Sequence, residues 1–364
     1  MITKIKIEGY KSIKNQTIDL KPINILLGAN GVGKSNFISI FSLIRNIYNQ
    51  SLQSYVLSKG GADSFLHFGR KKTTEIRVNV LFGNDKKEIN QFAIALGQSQ
   101  NSLLIKSVST AFNAYDSGRW SETIYEKNQL ESGFSRINTG QAFWVNQRLL
   151  EFDVYHFHDT SDQSPMKGIA DIGDNRTLKR DGSNIAAYLY FLKVKHPNHF
   201  KRIEMTIQSV APFFDHFVLE PYKLNESKIN LEWREKGAPD SYFSSYHLSD
   251  GTLRFICLAT LLMQPKPPKT IIIDEPELGL HPVAVNKLAS LVRKISENTQ
   301  VILSTQSVNL VDNFSTEDII VTDRGSDGTV FRRLDSHDLK SWLDSYTLGD
   351  LWGKNIIGAQ PYSI

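Results

Sequence analysis

Gly28-Ala29-Asn30-Gly31-Val32-Gly33-Lys34-Ser35 stands between INILL (Ile23–Leu27) and a stretch in which Phe37, Ile40, Phe41, Ile44, Ile47 and Tyr48 recur at helical spacing. INILL has the pattern of a strand covered on both faces, and the recurrence after the loop predicts an amphipathic helix. Strand, glycine-rich loop and helix follow in the order a phosphate cradle requires. The spacing G-x-x-x-x-G-K-S is matched by Gly28, Gly33, Lys34 and Ser35. Glycine lets the backbone wrap phosphates with its N–H groups inward, and the helix adds its positive end. Lys34 would bridge the β- and γ-phosphates, and the Ser35 hydroxyl would ligate Mg²⁺. A plain glycine turn feeding a helix is the competing explanation, and the flanking strand and helix argue against it.

Two later stretches extend this chemistry. In TIIIDEPELGLHP (Thr270–Pro282) three isoleucines lead to Asp274 and Glu275. A strand buried on both faces delivers its last side chains to the carboxyl edge of the sheet, where ligands bind in open α/β folds. There Asp274 can hold the Mg²⁺ shell and Glu275 can orient or deprotonate a water. Two acids capping a turn before Pro276 form the bland alternative, outweighed by the phosphate loop in the same chain. In LSDGT (Leu248–Thr252), which opens an apolar helix, Ser249 and the Gly251 backbone can form a second anion site. Taken alone, an N-cap beside a glycine is the commoner explanation of LSDGT. One phosphate loop already supplies one cradle, however, so a second must serve another nucleotide. Two chains set head to tail would place each LSDGT over the other's γ-phosphate.

The 364 residues suffice for two to three domains' worth of core. An apolar fraction of 40% and a charged fraction of 22% are ordinary for a soluble globular chain, and a net charge of +4 gives no ground for nucleic-acid binding. The basic clusters at Arg70–Lys72, Lys179-Arg180 and Lys201-Arg202 are short and read as solvated surface. Cys257 is the sole cysteine and lies in the apolar FICLATLLM, which excludes an internal disulfide framework and makes it a small core residue. No window approaches the ~20 apolar residues of a bilayer span. MITKIKIEGYKSI alternates like a strand rather than a signal peptide, so a cytoplasmic protein without membrane contact is expected. No N-K-x-D guanine motif occurs, since Asn286-Lys287 continues into Leu-Ala, and ATP is favoured over GTP. His156 and His158 of YHFHD alternate on an expected strand without enough companions to bind a metal.

Alternation at residues 3–7 and at Ile76, Val78 and Val80 predicts half-buried strands. Residues 90–240 hold turn-rich segments (FGNDKK, AYDSGRW, ESGFSRINTG), a strand-like run at Phe152–Phe157, and two helices around Asn184–Lys195 and His199–Val210 broken at Pro197. Strands are expected at Ile271–Asp274, Gln300–Ser304, Ile319–Val321 and Val330–Leu334. Residues 1–90 and 241–364 therefore read as two parts of one α/β core around an insertion at 91–240, with 152–160 returning to the core. No heptad array, 20- to 50-residue repeat or low-complexity tract is present, which excludes a long coiled-coil arm.

With these motifs in hand, the chain resembles the ABC-type ATPases of the SMC, RecF and OLD kind, closest to their compact bacterial RecF-like "AAA family predicted ATPase" branch. IKIEGYKSI, GANGVGKSN, LSDGT, IIIDEPELGLHP and STQS carry the resemblance over roughly 1–80 and 245–310, and the tail LGDLWGKNIIGAQP also fits. The resemblance implies an ABC-type P-loop ATPase head with a mixed β-sheet core, an antiparallel β subdomain and a helical insertion, and ATP sandwiched between two subunits of a homodimer. It implies Asn30, Gly31, Gly33, Lys34, Ser35 and Asn36 around the nucleotide with Lys11 of GYKSI nearby. It implies Ser249 and Gly251 on the partner's γ-phosphate, Glu275, Gln306 and Lys34 in hydrolysis, and Ser35 and Asp274 on Mg²⁺. Asp250 stands where many relatives have glycine, and Gln306 where histidine is usual. Glutamine can hydrogen-bond a phosphate or water but cannot become cationic. Gln163, after YHFHDTSD, is a candidate Q-loop glutamine.

Three functions compete. The first is an ATP-driven dimerisation switch acting with DNA or a separately encoded effector, by family analogy in genome maintenance or phage defence. The second is a transporter's ATP-driving subunit, or a nucleotide-locked regulator with little turnover. The third is a nuclease of the OLD kind; the 58 residues after Gln306 are too few for an appended Toprim domain, so the nuclease would be another polypeptide.

Overall fold

A computed structural model describes residues 1–84, 87–113, 120–238 and 240–360. Residues 85–86 of FGNDKK, 114–119 of AYDSGRW and Pro361 of the tail lie outside the described residues.

Two six-stranded sheets dominate. The first is antiparallel throughout and is built from β1 (Ile2–Tyr10), β2 (Ile13–Asp19), β4 (Glu75–Asn84), β5 (Lys87–Ser99), β6 (Ser102–Phe112) and β7 (Ser121–Gln129). Its order is β2-β1-β4-β5-β6-β7. Residue 90, the expected domain boundary, falls inside β5, which pairs with β4 on both sides of it, through a register shift, and with β6. The polar composition of this stretch reflects a sheet with one wet face, which reads in sequence like a loop-rich insertion.

The second sheet is the core. It comprises β3 (Ile23–Leu27), β8 (Phe152–Tyr155), β15 (Thr270–Asp274), β16 (Gln300–Thr305), β17 (Ile319–Gly325) and β18 (Gly328–Arg333), in the order β18-β17-β3-β16-β15-β8. All of its pairings are parallel except β17–β18, which makes it mixed. Between β8 and β15 come β9 (Ala170–Asp171), α4 (Ile185–Lys195), α5 (Pro197–Val210), β10 (Phe214–Val218), β11 (Pro221–Tyr222), β12 (Asn225–Ile229), β13 (Glu232–Glu235), β14 (Phe243–Ser244) and α6 (Asp250–Met263). The six short strands form two three-stranded sheets, β10-β13-β14 and β11-β12-β9. The helix expected from His199 starts two residues earlier, at Pro197, because proline is favoured at the first helical position, where its missing N–H costs nothing. The strand expected to reach Phe157 ends at Tyr155, so His156 and His158 do not alternate on it.

Alternation explains how one sheet serves two cores. Ile25, Leu27, Ile271, Ile273, Val301 and Leu303 pack with α4, α5, α6 and α7 (Pro282–Ile295), whereas Leu26, Ile272 and Ile302 pack on the other face. That second face meets α1 (Lys34–Tyr48), with α2 (Leu52–Ser58) and α3 (Gly140–Leu150) in the same core, and, beyond it, the antiparallel sheet. Aromatic pairs of Phe37 with Phe331 on β18 (5.4 Å) and Phe41 with Phe152 on β8 (5.7 Å) show α1 crossing the whole underside of the core sheet. The longest helix among the described residues is α1, at 15 residues, so no coiled-coil arm emerges, and no described helix is long and apolar enough to cross a membrane.

A buried glutamine joins the sheets at the far end. The Gln300 side chain accepts from the Ile2 amide (3.1 Å) and donates to the carbonyls of Ile2 (2.7 Å) and Lys21 (3.0 Å). Replacing it by leucine removes this partner from the buried Ile2 amide and carbonyl, each costing about 1–3 kcal/mol if left unpaired, while the Lys21 carbonyl keeps its bond from Asn24 (2.6 Å). Gln300→Leu is therefore expected to destabilise the fold by several kcal/mol in urea melts; a loss under about 0.5 kcal/mol would show that the two sheets are not joined here.

Candidate functional site

The parallel register delivers three segments to one edge. Leu27 pairs with Thr305 and Asp274 with Ser304, so the phosphate loop, the acidic pair and the segment after β16 leave the sheet side by side. The loop itself is glycine-dependent at two positions. Gly33 has φ +117° and a Cβ there would lie 2.2 Å from the Thr329 hydroxyl; Gly28 would meet the Thr322 carbonyl at 2.5 Å. The Thr329 hydroxyl donates to the Val32 carbonyl (2.6 Å), which fixes the loop from β18.

Lys34 is buried, and its Nζ donates to the carbonyls of Gly28 (2.7 Å) and Ala29 (2.9 Å). Desolvation holds this ammonium below its ordinary value, opposed by the negative charges of Glu275, Asp274 and Glu277. Ser35, Asn30 and Gly31 are exposed at the loop surface. Asn36 donates to the Ser12 hydroxyl (2.7 Å). Lys11, with φ +46°, reaches the Ser39 hydroxyl (3.1 Å), one turn along α1 from Ser35 and on the same face.

The acidic pair is held by its neighbours. Ser304 donates to the Asp274 carboxylate, and the Glu275 amide donates to the Ser304 hydroxyl (3.1 Å). Glu275 has φ +39°, a left-handed conformation that is costly for a side-chain-bearing residue and found disproportionately at active sites. Among the described residues no group of three His, Cys, Asp or Glu side chains is gathered to hold a metal. One carboxylate, Asp274, and one hydroxyl, Ser35, suit Mg²⁺, which keeps waters and takes further oxygens from substrate phosphates.

Glu277, which the motif reading passed over, is the most perturbed acid here. It is 9% exposed; one oxygen accepts from the Thr305 hydroxyl (2.5 Å) while the other is buried without a partner. Burial pushes its carboxyl up to about 7, while Thr305 and the Gln306 backbone pull it down. Thr305 also accepts from the Ser307 amide (2.9 Å), so Glu277 braces the segment carrying the half-buried Gln306. The only sequence signal was a second acid two residues after Glu275 across a proline.

The signature loop stands apart. Ser249 caps α6, accepting from the Thr252 amide (3.2 Å), and is exposed. Gly251 lies against Gly279, where a Cβ would come within 2.3 Å of a carbonyl oxygen. Arg254, buried one turn along α6, donates to the carbonyls of Phe157 (2.8 Å) and His158 (3.0 Å). Among the described residues no hydrogen bond or ion pair joins residues 248–252 to the phosphate loop. Gln163 is exposed, and none of the site's hydrogen bonds reaches it. The tail does reach the site: the Ala29 amide donates to the Ala359 carbonyl (2.9 Å), and the Ala359 amide to Asp323 (3.0 Å), giving the loop a second wall.

A phosphate-loop AAA-type domain with the fold of an SMC head is the class that this fold and this edge define. Residues 23–312, well over half the chain, match the family model described as "AAA domain, putative AbiEii toxin, Type IV TA system", and the chain belongs to that family. The fold is similar to the SMC head solved in complex with the C-winged helix domain of ScpA, with a TM-score of 0.60 and 15% identity over 93% of this chain and 99% of that one. It is also similar to a Pyrococcus furiosus SMC head bound to the C-terminal domain of ScpA, with a TM-score of 0.56 and 14% identity over 94% and 98% of the chains. Among curated proteins, 85 residues are 33% identical to the energy-coupling factor transporter ATP-binding protein EcfA2 of Staphylococcus epidermidis, covering 23% of this chain and 29% of that protein. A further 79-residue match, 32% identical, is to ABC transporter A family member 11 of Dictyostelium discoideum, covering 22% and 9%. The chain thus spans under a third of either curated relative.

Glu277 makes stability depend on pH. An unfolded glutamate ionises near 4.5 and the buried one near 7, so between those values the folded chain holds a proton that the unfolded chain has lost. Its contribution to stability therefore falls as pH rises from about 4.5 to about 7, by at most about 3 kcal/mol. In nucleotide-free protein, the melting temperature of Glu277→Gln relative to wild type is expected to climb between pH 5 and pH 8; a constant difference would contradict the raised carboxyl.

Proposed function

We propose that this chain binds and hydrolyses ATP with Mg²⁺ and dimerises around two ATP molecules, coupling the closed state to a separately encoded protein partner or to DNA. The observation that carries the proposal is the separation of the two anion cradles. The signature helix rests on Gly279, away from the phosphate loop of its own chain, with Ser249 exposed. A second copy, head to tail, would bring Ser249 and Gly251 onto a γ-phosphate held by Lys34.

Asn30, Gly31, Gly33 and Asn36 would line the nucleotide, and Lys11 would stand beside the helix start through Ser39. Ser35 and Asp274 would hold Mg²⁺, which supplies charge neutralisation at the transferring phosphoryl group. Glu275 would take the proton of the attacking water, and Gln306, braced through Thr305, would orient that water or the γ-phosphate without adding charge. Loss of the γ-phosphate removes the contact shared by the two subunits, so hydrolysis opens the dimer.

The curated relatives favour a second role, as the ATP-driving subunit of a transporter; stoichiometric co-purification with an integral membrane protein would establish it over the first. Membership in the family, by contrast, leaves genome maintenance or phage defence as analogy.

Two measurements test the proposal. Lys34→Ala is expected to abolish ATP binding in a calorimetric titration, since it removes the ammonium from the loop interior; undiminished affinity would overturn the phosphate-loop assignment. Glu275→Gln with ATP and Mg²⁺ is expected to elute as a dimer in size-exclusion chromatography while nucleotide-free protein elutes as a monomer; a monomer in both conditions contradicts the clamp.

A further inference from the structure

At the opposite pole of the core sheet, where β15 and β16 begin, a cavity of about 640 Å³ opens between α5, α6 and α7. Its floor is apolar: Leu262, Met263, Leu291 and Ile295, with Pro265 and Pro267. Around it stand Arg202 from α5, Lys266 and Lys269 from the link between α6 and β15, Lys294 from α7, and His199; no aspartate or glutamate lines it. The four basic side chains are exposed, and among the described residues none forms an ion pair. Lys294 lies in the last turn of α7, where the helix dipole favours a cation. That dipole does not explain Arg202, in the first half of α5, or Lys269, just before β15. Like charges on three elements around one concavity raise the local positive potential, which an anionic ligand would relieve. Long basic side chains laid over an apolar floor also present both chemistries to one ligand.

We propose that this cavity is a docking site for an acidic peptide segment of a partner protein, with an apolar side chain seated on the Leu291–Ile295 floor and carboxylates meeting Arg202, Lys266, Lys269 and Lys294. Charge complementarity selects the sign of the ligand. The apolar floor selects a peptide over a nucleic-acid backbone, whose interfaces are more polar. A mouth with cations on separate sides suits several spaced carboxylates better than one phosphate, which convergent donors would hold. The position is also suited to signalling: α6 runs from this cavity to Ser249, and β15 from it to Asp274. The site does not rest on the nucleotide assignment.

The test uses the full chain and a fluorescein-labelled peptide interleaving glutamates with leucines, followed by anisotropy at fixed ionic strength. Wild type is expected to bind it. The double charge reversal Arg202→Glu with Lys269→Glu should weaken binding by roughly tenfold or more, with ATP affinity unchanged. Ile295→Gln, which removes part of the floor and keeps every charge, should weaken it as well. Equal binding by the charge-reversed protein overturns the proposal, as does an Ile295→Gln variant that binds like wild type. Complete displacement by about 10 mM inorganic phosphate would reduce the cavity to a counter-ion sink and overturn it too. A single-stranded oligonucleotide that binds where the peptide does not, and is lost in the charge-reversed protein, would replace the peptide by nucleic acid.

Discussion

The parallel pairing of β3, β16 and β15 is the constraint on which the rest of the molecule depends. Parallel strands end together, so Leu27, Thr305 and Asp274 reach the same edge and release the phosphate loop, the Gln306 segment and the acidic pair next to one another. Ser304 then fastens two of these segments, bonding both the Asp274 carboxylate and the Glu275 amide. A slip of one residue in β16 would turn Ser304 toward the opposite face and exchange Ile302 with Val301 and Leu303 between the two cores. The apolar faces thus enforce the register, and the register assembles the site.

The surroundings of that edge brace the loop rather than react. Thr329 on β18 fixes Val32, and Ala359 in the tail bonds Ala29. Glu277 holds Thr305 from a nearly dry environment, a costly arrangement that survives because the Thr305 hydroxyl and the Gln306 amide offset part of the desolvation. On the other side, Arg254 ties the signature helix to the carbonyls of Phe157 and His158 and lies 3.1 Å from where a Gly279 side chain would begin. The helix bearing Ser249 and the loop after the acidic pair therefore form one packed unit.

Much of this was legible in the residues. INILL, the glycine spacing and the run to Asp274 announce their roles because a phosphate loop and a buried strand are local patterns. What stayed hidden depends on partners distant in sequence. Nothing around Thr329 says that its hydroxyl will meet Val32, and Glu277 reads as one more acid until its burial against Thr305 is seen. The antiparallel sheet was divided at residue 90 because β5 to β7 carry an open, polar face, which in sequence resembles loop. The cavity beneath the core sheet was invisible for the same reason: Arg202, Lys269 and Lys294 lie in separate, unremarkable basic stretches that only the packing of α5, α6 and α7 brings around one concavity.

The central claim is that each triphosphate is gripped by one chain and closed over by another, and subunit mixing tests it most directly. Lys34→Ala lacks the grip and Ser249→Arg blocks the lid, so each variant alone should turn over no ATP, although Ser249→Arg still binds it. Mixed in equal amounts, half of the dimers carry one site built from the intact Lys34 of one chain and the intact Ser249 of the other. Recovery of about a quarter of wild-type ATPase activity is expected if the sites act independently. A mixture no more active than its separate components would contradict a shared site.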